Sequence, residues 1–349
     1  MKGDDLRIRR KAQKLGSSTL AVTVPAEWAR RHDLSKGDEL VVQRDENGSS
    51  LLITPDRPAL EDTETVIDAD SMSAEALSRA VVSQYVLGRG FVRIEAAEAL
   101  DPSHYDAVIE AENRLMGLGI VEESATHITI RCSVDPNDFD LPTLLGRLSR
   151  TEGMIRSNAV AALQSGDADA ARRAADRGPQ LEKLFSLFLR LVFTTYRNPR
   201  LNRAVGVGTG FPLIGYRSAA QDVSLMAGIA DDIAAIAADR VTDPLDPAVA
   251  DHVESVHDAL DAVTETVREA VIDPDYRTVV SAHDALERFD ARLEAATDHL
   301  RAERPEPVFA LCRVYFLFER SARHARDTLE VATHLAFRES PDIVTDDRN

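Results

Sequence analysis

The chain has little cysteine, lysine or tryptophan, and it lacks long apolar runs. Its two cysteines, Cys132 and Cys312, have no Cys or His ligand at zinc-finger spacing. That argues against a disulfide framework or a structural zinc cluster, and both are expected to be small buried apolar residues. The most apolar stretch, Leu184 to Phe193, carries Arg190, and Val308 to Phe318 contains Arg313; both fall well short of the ~20 residues a membrane-spanning helix needs. Basic residues at the N-terminus have no apolar run behind them, so no secretion signal is read and the expected location is the cytoplasm. The 349 residues suggest two or three domains, and 44% hydrophobic residues exclude a wholly disordered chain. Acidic side chains number 59 against 41 basic, a net charge of −18. For the chain as a whole this excludes a basic nucleic-acid coat. Only five of the basic residues are lysine. Such a surface fits a salt-rich, halophilic cytoplasm, where screening tolerates self-repulsion, or an ordinary acidic protein.

The charge is unevenly placed. Residues 1–57 hold 11 basic and 9 acidic side chains, a balance of +2; the other 292 hold 30 and 50, a balance of −20. Between Leu6 and Leu15 lie Arg7, Arg9, Arg10, Lys11 and Lys14 with no acid among them. A basic strip on an acidic protein points to a polyanion, or else to a solvated tail. Leu20, Val22 and Val24 alternate with Ala21 and Thr23, which predicts a strand ending at Pro25. A short helix follows from Pro25 with Trp28 inward, then a Lys36-Gly-Asp38 turn and a strand over Glu39 to Gln43. A hairpin turn is expected at Asp45-Glu-Asn-Gly48, with Leu51-Leu-Ile53 pairing back. About fifty residues enclose too little interior to be stable alone, so a partner copy should complete the unit.

Arg10-Lys-Ala-Gln-Lys-Leu-Gly-Ser-Ser-Thr-Leu-Ala-Val-Thr-Val-Pro-Ala-Glu-Trp28, followed by Leu34-Ser-Lys-Gly-Asp-Glu-Leu40, resembles an AbrB/SpoVT-type swapped-hairpin DNA-binding domain over roughly residues 6–55. The resemblance implies a homodimer of interleaved hairpins that lays basic side chains along a DNA groove. By position, Arg9, Arg10, Lys11 and Lys14 on the first strand and Arg30 and Arg31 on the helix are the expected DNA contacts. Arginine can grip phosphate or guanine in a bidentate manner. Some relatives of this fold serve as dimerisation modules or antitoxins.

Beyond a proline-bearing linker from Pro55 to Asp62, strands are expected at Thr65–Asp68, Phe91–Ile94 and His127–Ser133, with helices at Ala74–Leu87 and Pro102–Met116. This alternation predicts a small α/β layer over 63–135, a structural or ligand-sensing insert. From Leu141 the reading is helical, in six segments: 141–165, 167–198, 212–241, 247–272, 275–302 and 306–337. Breaks fall at Gly166, Asn198-Pro199, Asp243–Pro247, Asp273-Pro274 and Arg304–Pro307. Val253, Val256, Leu260, Val263 and Val267 form an apolar stripe on the fourth segment. Ala282, Leu286, Phe289, Leu293, Ala296 and Leu300 do so on the fifth, and Leu311, Tyr315, Phe318, Ala322, Ala325 and Leu329 on the sixth. The first segment is looser, with a gap around Glu152. Short connections between long helices mean antiparallel packing, here as two three-helix units over 141–241 and 247–337. The predicted fold is therefore multidomain: a small, mainly-β swapped-hairpin head over 1–57, a small α/β middle segment, and an all-α body of two three-helix bundles.

Leu181-Glu-Lys-Leu-Phe-Ser-Leu-Phe-Leu-Arg190, Ile229-Ala-Asp-Asp-Ile-Ala-Ala-Ile-Ala237 and Glu319-Arg-Ser-Ala-Arg-His-Ala-Arg-Asp-Thr-Leu-Glu330 resemble helix signatures of the archaeal PhoU-type phosphate-uptake regulators. That family carries a Glu and an Asp four residues apart on the third helix of each repeat, able to gather metal ions. Here the pair is broken. Asp231 stands but the Glu position is Ala227; Glu319 stands but the Asp position is Arg323, which should pair with it instead. Any metal that remains would draw on Glu182, Asp231 and Asp232, otherwise a solvated acidic face; no other cofactor is expected. His252 and His257 among Asp251, Glu254 and Asp258 read as an exposed acidic helix face or a metal patch. Gly206-Val-Gly-Thr-Gly210 reads as a flexible connection, since no strand precedes it and no lysine follows. No Gly-x-Ser-x-Gly elbow or Cys–His nucleophile presents itself, so no enzyme is expected. The resemblances imply a phosphate-responsive regulator of phosphate uptake that binds DNA. The alternative is an adaptor that dimerises through its head and docks on a phosphate ABC transporter ATPase or a signalling kinase.

Overall fold

The computed structural model describes residues 8–44, 50–55, 65–202, 204–208, 210–241 and 243–339. The Asp45–Gly48 turn, most of the linker and Arg7 lie outside them. By packing, the chain divides at Leu60 and Glu61 into two compact units.

The first unit is built from short antiparallel ladders. Strand β1 (Gln13–Leu15) pairs with β2 (Thr19–Ala21), and β3 (Leu40–Arg44) pairs with β4 (Leu51–Pro55). Helix α1 (Ala26–Arg31) starts directly after Pro25 and sets Trp28 against His32 in a tilted contact with ring centroids 5.1 Å apart. Strand β2 stops three residues short of the expected Val24, because the Gln13–Ala21 pair is the last rung this chain offers. No residue of this unit is buried among the described residues. Leu20 is 68% exposed, Leu51 63% and Val42 55%.

The second unit opens with a four-stranded sheet in the order β5-β6-β8-β7, formed by β5 (Thr65–Asp68), β6 (Phe91–Glu95), β7 (Leu118–Glu123) and β8 (His127–Cys132). Strand β5 runs parallel to β6 through the crossover helix α2 (Ala74–Val86), and β8 is antiparallel to both its neighbours. Strand β7 had no counterpart in the sequence reading. Ile67, Val92, Ile94, Ile128 and Ile130 face Leu77, Val81 and Tyr85 of α2 and Val108 and Ala111 of α3 (Pro102–Arg114) in one apolar cluster. The period-two alternation leaves Phe91, Arg93 and Glu95 on the other face.

Seven α-helices follow among the described residues: α4 (Leu141–Ser165), α5 (Ala168–Ala175), α6 (Gly178–Arg197), α7 (Phe211–Arg240), α8 (Pro247–Ile272), α9 (Tyr276–Glu303) and α10 (Val308–Glu339). The expected second segment is two helices, since Gly178-Pro179 breaks it and Pro179 fits only the first turn of the next. Aspartates that raise the negative charge also set the helix starts. Asp140, Asp167, Asp246 and Asp275 each accept a first-turn backbone N–H. Gly166 closes α4 in the left-handed region, and a Cβ there would stand 2.5 Å from the Asp243 carbonyl carbon.

Helices α4, α5, α6 and α7 pack on one another, as do α8, α9 and α10; α4 on α8 and α7 on α10 join the two sets into one continuous core. The three predicted stripes face inward, with Leu293 alone partly exposed. Arg190 docks α6 on the α/β layer: its guanidinium donates to the carbonyls of Tyr85 (2.7 Å) and Arg89 (3.0 Å) and lies over the Tyr85 ring. Cys132 is buried as expected, but Cys312 is exposed, because it falls on the outer face of α10 beside Arg313. No helix among the described residues is long and apolar enough to cross a membrane.

Candidate nucleic-acid interface

The basic strip occupies the open end of the β1–β2 hairpin. Lys14 lies in β1, while Arg9, Arg10 and Lys11 precede it, outside the first strand where the sequence placed them. The ladder gives them no opposite residue within one chain. Arg30 and Arg31 stand in the last turn of α1. All six side chains are exposed, and none makes an ion pair among the described residues. No hydrogen bond links the strip to the α1 pair among those residues. Exposed cations that make no ion pair among the described residues, on a unit whose described apolar side chains are also uncovered, can meet a polyanion and a second subunit at once.

The ligand atoms of Glu182, Asp231 and Asp232, the three carboxylates considered for a metal, do not all lie within 4.8 Å of one another. Glu182 is drawn to Arg114, Oε2 to Nη2 2.9 Å. Asp231 is half-buried against the start of α6, where a Cβ on Gly178 would come within 3.1 Å of its Oδ2. Its Oδ1 is buried without a hydrogen-bond partner among the described residues. Loss of solvent, aided by the charges of Asp232 and Glu182, pushes the Asp231 carboxyl up to about 6. On α10, Arg323 and Glu319 form the expected i,i+4 ion pair at 3.3 Å.

The gap in the α4 stripe proves to be a buried ionic network. Glu152 and Arg156 are each 1% exposed. Arg156 Nε meets Glu152 Oε1 at 3.0 Å and its Nη2 meets Glu152 Oε2 at 3.2 Å. The same Nη2 reaches across to α8, to Asp261 Oδ1 at 3.0 Å and Thr264 Oγ1 at 3.3 Å. Burial pushes the Glu152 carboxyl up, and the Arg156 charge pulls it back. His257 belongs to this network: Nε2 lies 3.2 Å from Ser157 Oγ and 3.6 Å from Asp261 Oδ2. It is buried, whereas His252 stacks on His299, so the two histidines do not form a joint patch. A set the sequence reading missed is Asp222, His324 and Asp327. Among the described residues it is the group of three metal-ligating side chains whose ligand atoms all lie within 4.8 Å of one another. The i,i+3 spacing of His324 and Asp327 was visible in the sequence, but their partner on α7 was not.

Residues 13–61 match the family described as "Antidote-toxin recognition MazE, bacterial antitoxin". Over these residues the N-terminal unit is similar to MazE/AbrB-like domains, which supports the swapped-hairpin reading of the head. No curated protein matches the chain.

Proposed function

We propose that this protein is a dimeric DNA-binding regulator whose head grips DNA and whose helical body senses phosphate status or a transporter component. The observation that carries the reading is the state of the head: an uncovered apolar side and six exposed cations without ion pairs among the described residues, on a chain whose other residues sum to −20. A single head with no buried residue among the described ones has little interior of its own, so a second copy supplies the missing interior. Two copies double the cationic strip, which suits a duplex read by adjacent subunits. The phosphate part rests on the likeness of the Leu181–Arg190, Ile229–Ala237 and Glu319–Glu330 stretches to PhoU-type signatures. The reading includes no catalytic step.

The test is a titration of the full chain against a phosphate-transport promoter across a potassium chloride series, with and without inorganic phosphate. Binding should weaken as salt rises, and Arg10→Ala/Lys14→Ala should flatten the slope by about one for each DNA phosphate that is no longer neutralised. Equal, negligible binding by wild type and variant removes the DNA claim. Binding that ignores phosphate removes only the sensing claim.

A second reading, favoured by the toxin-recognition description of the matched family, makes the head a dimerising, protein-recognising clamp and the whole chain an adaptor. Removal of residues 1–57 separates the two. An adaptor body keeps its partner, a transporter ATPase or kinase, whereas a DNA-binding regulator loses its output.

A further inference from the structure

Helices α7 and α10 pack side by side where the two helical sets meet. Asp222 of α7 faces His324 and Asp327 of α10, which share a helix face because they are three residues apart. His324 Nδ1 stands 3.4 Å from Asp222 Oδ1, and among the described residues this buried nitrogen has no hydrogen-bond partner. Thr328 Oγ1 donates to Asp222 Oδ2 at 3.2 Å, fixing the carboxylate with its other oxygen towards the imidazole. The arginines that flank His324 are engaged elsewhere, Arg323 with Glu319 and Arg326 with both oxygens of Asp290. No lysine or arginine pairs with Asp222 or Asp327 among the described residues. Two carboxylates thus converge on one imidazole with no cation between them, and the shielded Asp222 carboxyl is pushed up by lost solvent and by Asp327.

We propose that Asp222, His324 and Asp327 bind one divalent transition-metal ion that clamps α7 to α10. One imidazole nitrogen and two carboxylate oxygens suit a borderline ion such as Zn²⁺ or Mn²⁺ better than Mg²⁺ or Ca²⁺, which prefer all-oxygen shells. Exposed Asp327 leaves the site open towards solvent, so water can complete the coordination. Thr328 is the outer residue that orients Asp222. The site is separate from Glu182, Asp231 and Asp232, and the ion would hold the two helical sets together.

The experiment uses the full chain, stripped with a chelator and titrated with Zn²⁺ in competition with a chromophoric chelator, with Mg²⁺ as a control. One Zn²⁺ per chain and a higher melting temperature are expected. Asp222→Asn, His324→Gln and Asp327→Asn should each remove the tight site, and Thr328→Val should weaken it about 10–100-fold. Glu182→Gln/Asp231→Asn should leave it intact. Asp327 is exposed, so its variant reports on binding without disturbing the core. The proposal is overturned if wild type binds Zn²⁺ no more tightly than Asp327→Asn. It is equally overturned if the Glu182/Asp231 variant is the one that loses the ion.

Discussion

Arg156→Met tests whether the helical body depends on one buried ion pair. Methionine keeps most of the aliphatic volume but removes the charge and, with it, the contacts to Asp261 and Thr264, which leaves Glu152 at 1% exposure without its Arg156 partner. In the native chain both Glu152 oxygens lie within 3.2 Å of guanidinium nitrogens, and the Arg156 charge offsets part of the desolvation that pushes the carboxyl up. Without them the carboxyl will take up a proton rather than stay charged in the core. Protonating a carboxyl whose unfolded pKa is about 4.3 costs at most about 3.7 kcal/mol at pH 7, at about 1.4 kcal/mol per pH unit, and the share that the native carboxyl, itself pushed up by burial, already bears comes off that figure. The full figure agrees with the ~3–5 kcal/mol usual for breaking a buried pair. The sign follows from a folded pKa raised above the unfolded one. The penalty is small below about pH 4.3 and grows as pH rises, until the folded carboxyl itself ionises. Urea unfolding of wild type and variant at pH 4.5, 6 and 7.5 measures this directly. Glu152→Leu/Arg156→Met, which removes both charges, should recover to within about 1 kcal/mol of wild type. A loss below about 1 kcal/mol at pH 7, or one that does not change with pH, would refute the reasoning.

Asp231→Asn should stabilise the chain by about 1 kcal/mol at pH 7.5, a value discounted for the half-exposed site, and do nothing at pH 4. Its raised carboxyl favours the fold below about pH 4, and that advantage is lost as pH climbs through about 6. Thermal melts at the two pH values check this. Val42→Asp, on the uncovered apolar side of the head, should weaken the dimer by at least about 100-fold, since a carboxylate desolvated there costs several kcal/mol. Sedimentation velocity over a concentration series reads that change, and an unaltered dimer would show that the pairing surface lies elsewhere. A thiol reagent should label Cys312 at once in the native chain and Cys132 only after unfolding, as mass spectrometry of the labelled peptides will report.

Much of the body was readable because burial there follows helix periodicity. Val253 through Val267 and Leu311 through Leu329 repeat at heptad spacing, and they line the core. Aspartate and proline mark where α4 and α8 begin, and Gly166 marks where α4 ends. The pattern failed where a local signal was short or ambiguous. Gly178-Pro179 lies inside an otherwise good helical stretch, which hides the break between α5 and α6. Strand β7 has no clean alternation in Leu118–Glu123 and exists through its pairing with β8. Glu152 looks like a flaw in an apolar stripe, because the i,i+4 spacing to Arg156 does not say that both are buried or that Arg156 also meets an aspartate on α8.

By itself, the sequence determined where the helices lie, which faces they bury, and that the cations gather at the N-terminal end. These properties depend on neighbours a few residues apart, and local backbone geometry makes them periodic. Tertiary structure alone decided which polar groups meet across helices. Arg156 reaches Asp261 across 105 positions, and Asp222 reaches His324 across 102. Such pairings depend on which helix packs beside which, and that is fixed by the whole core rather than by any segment of it.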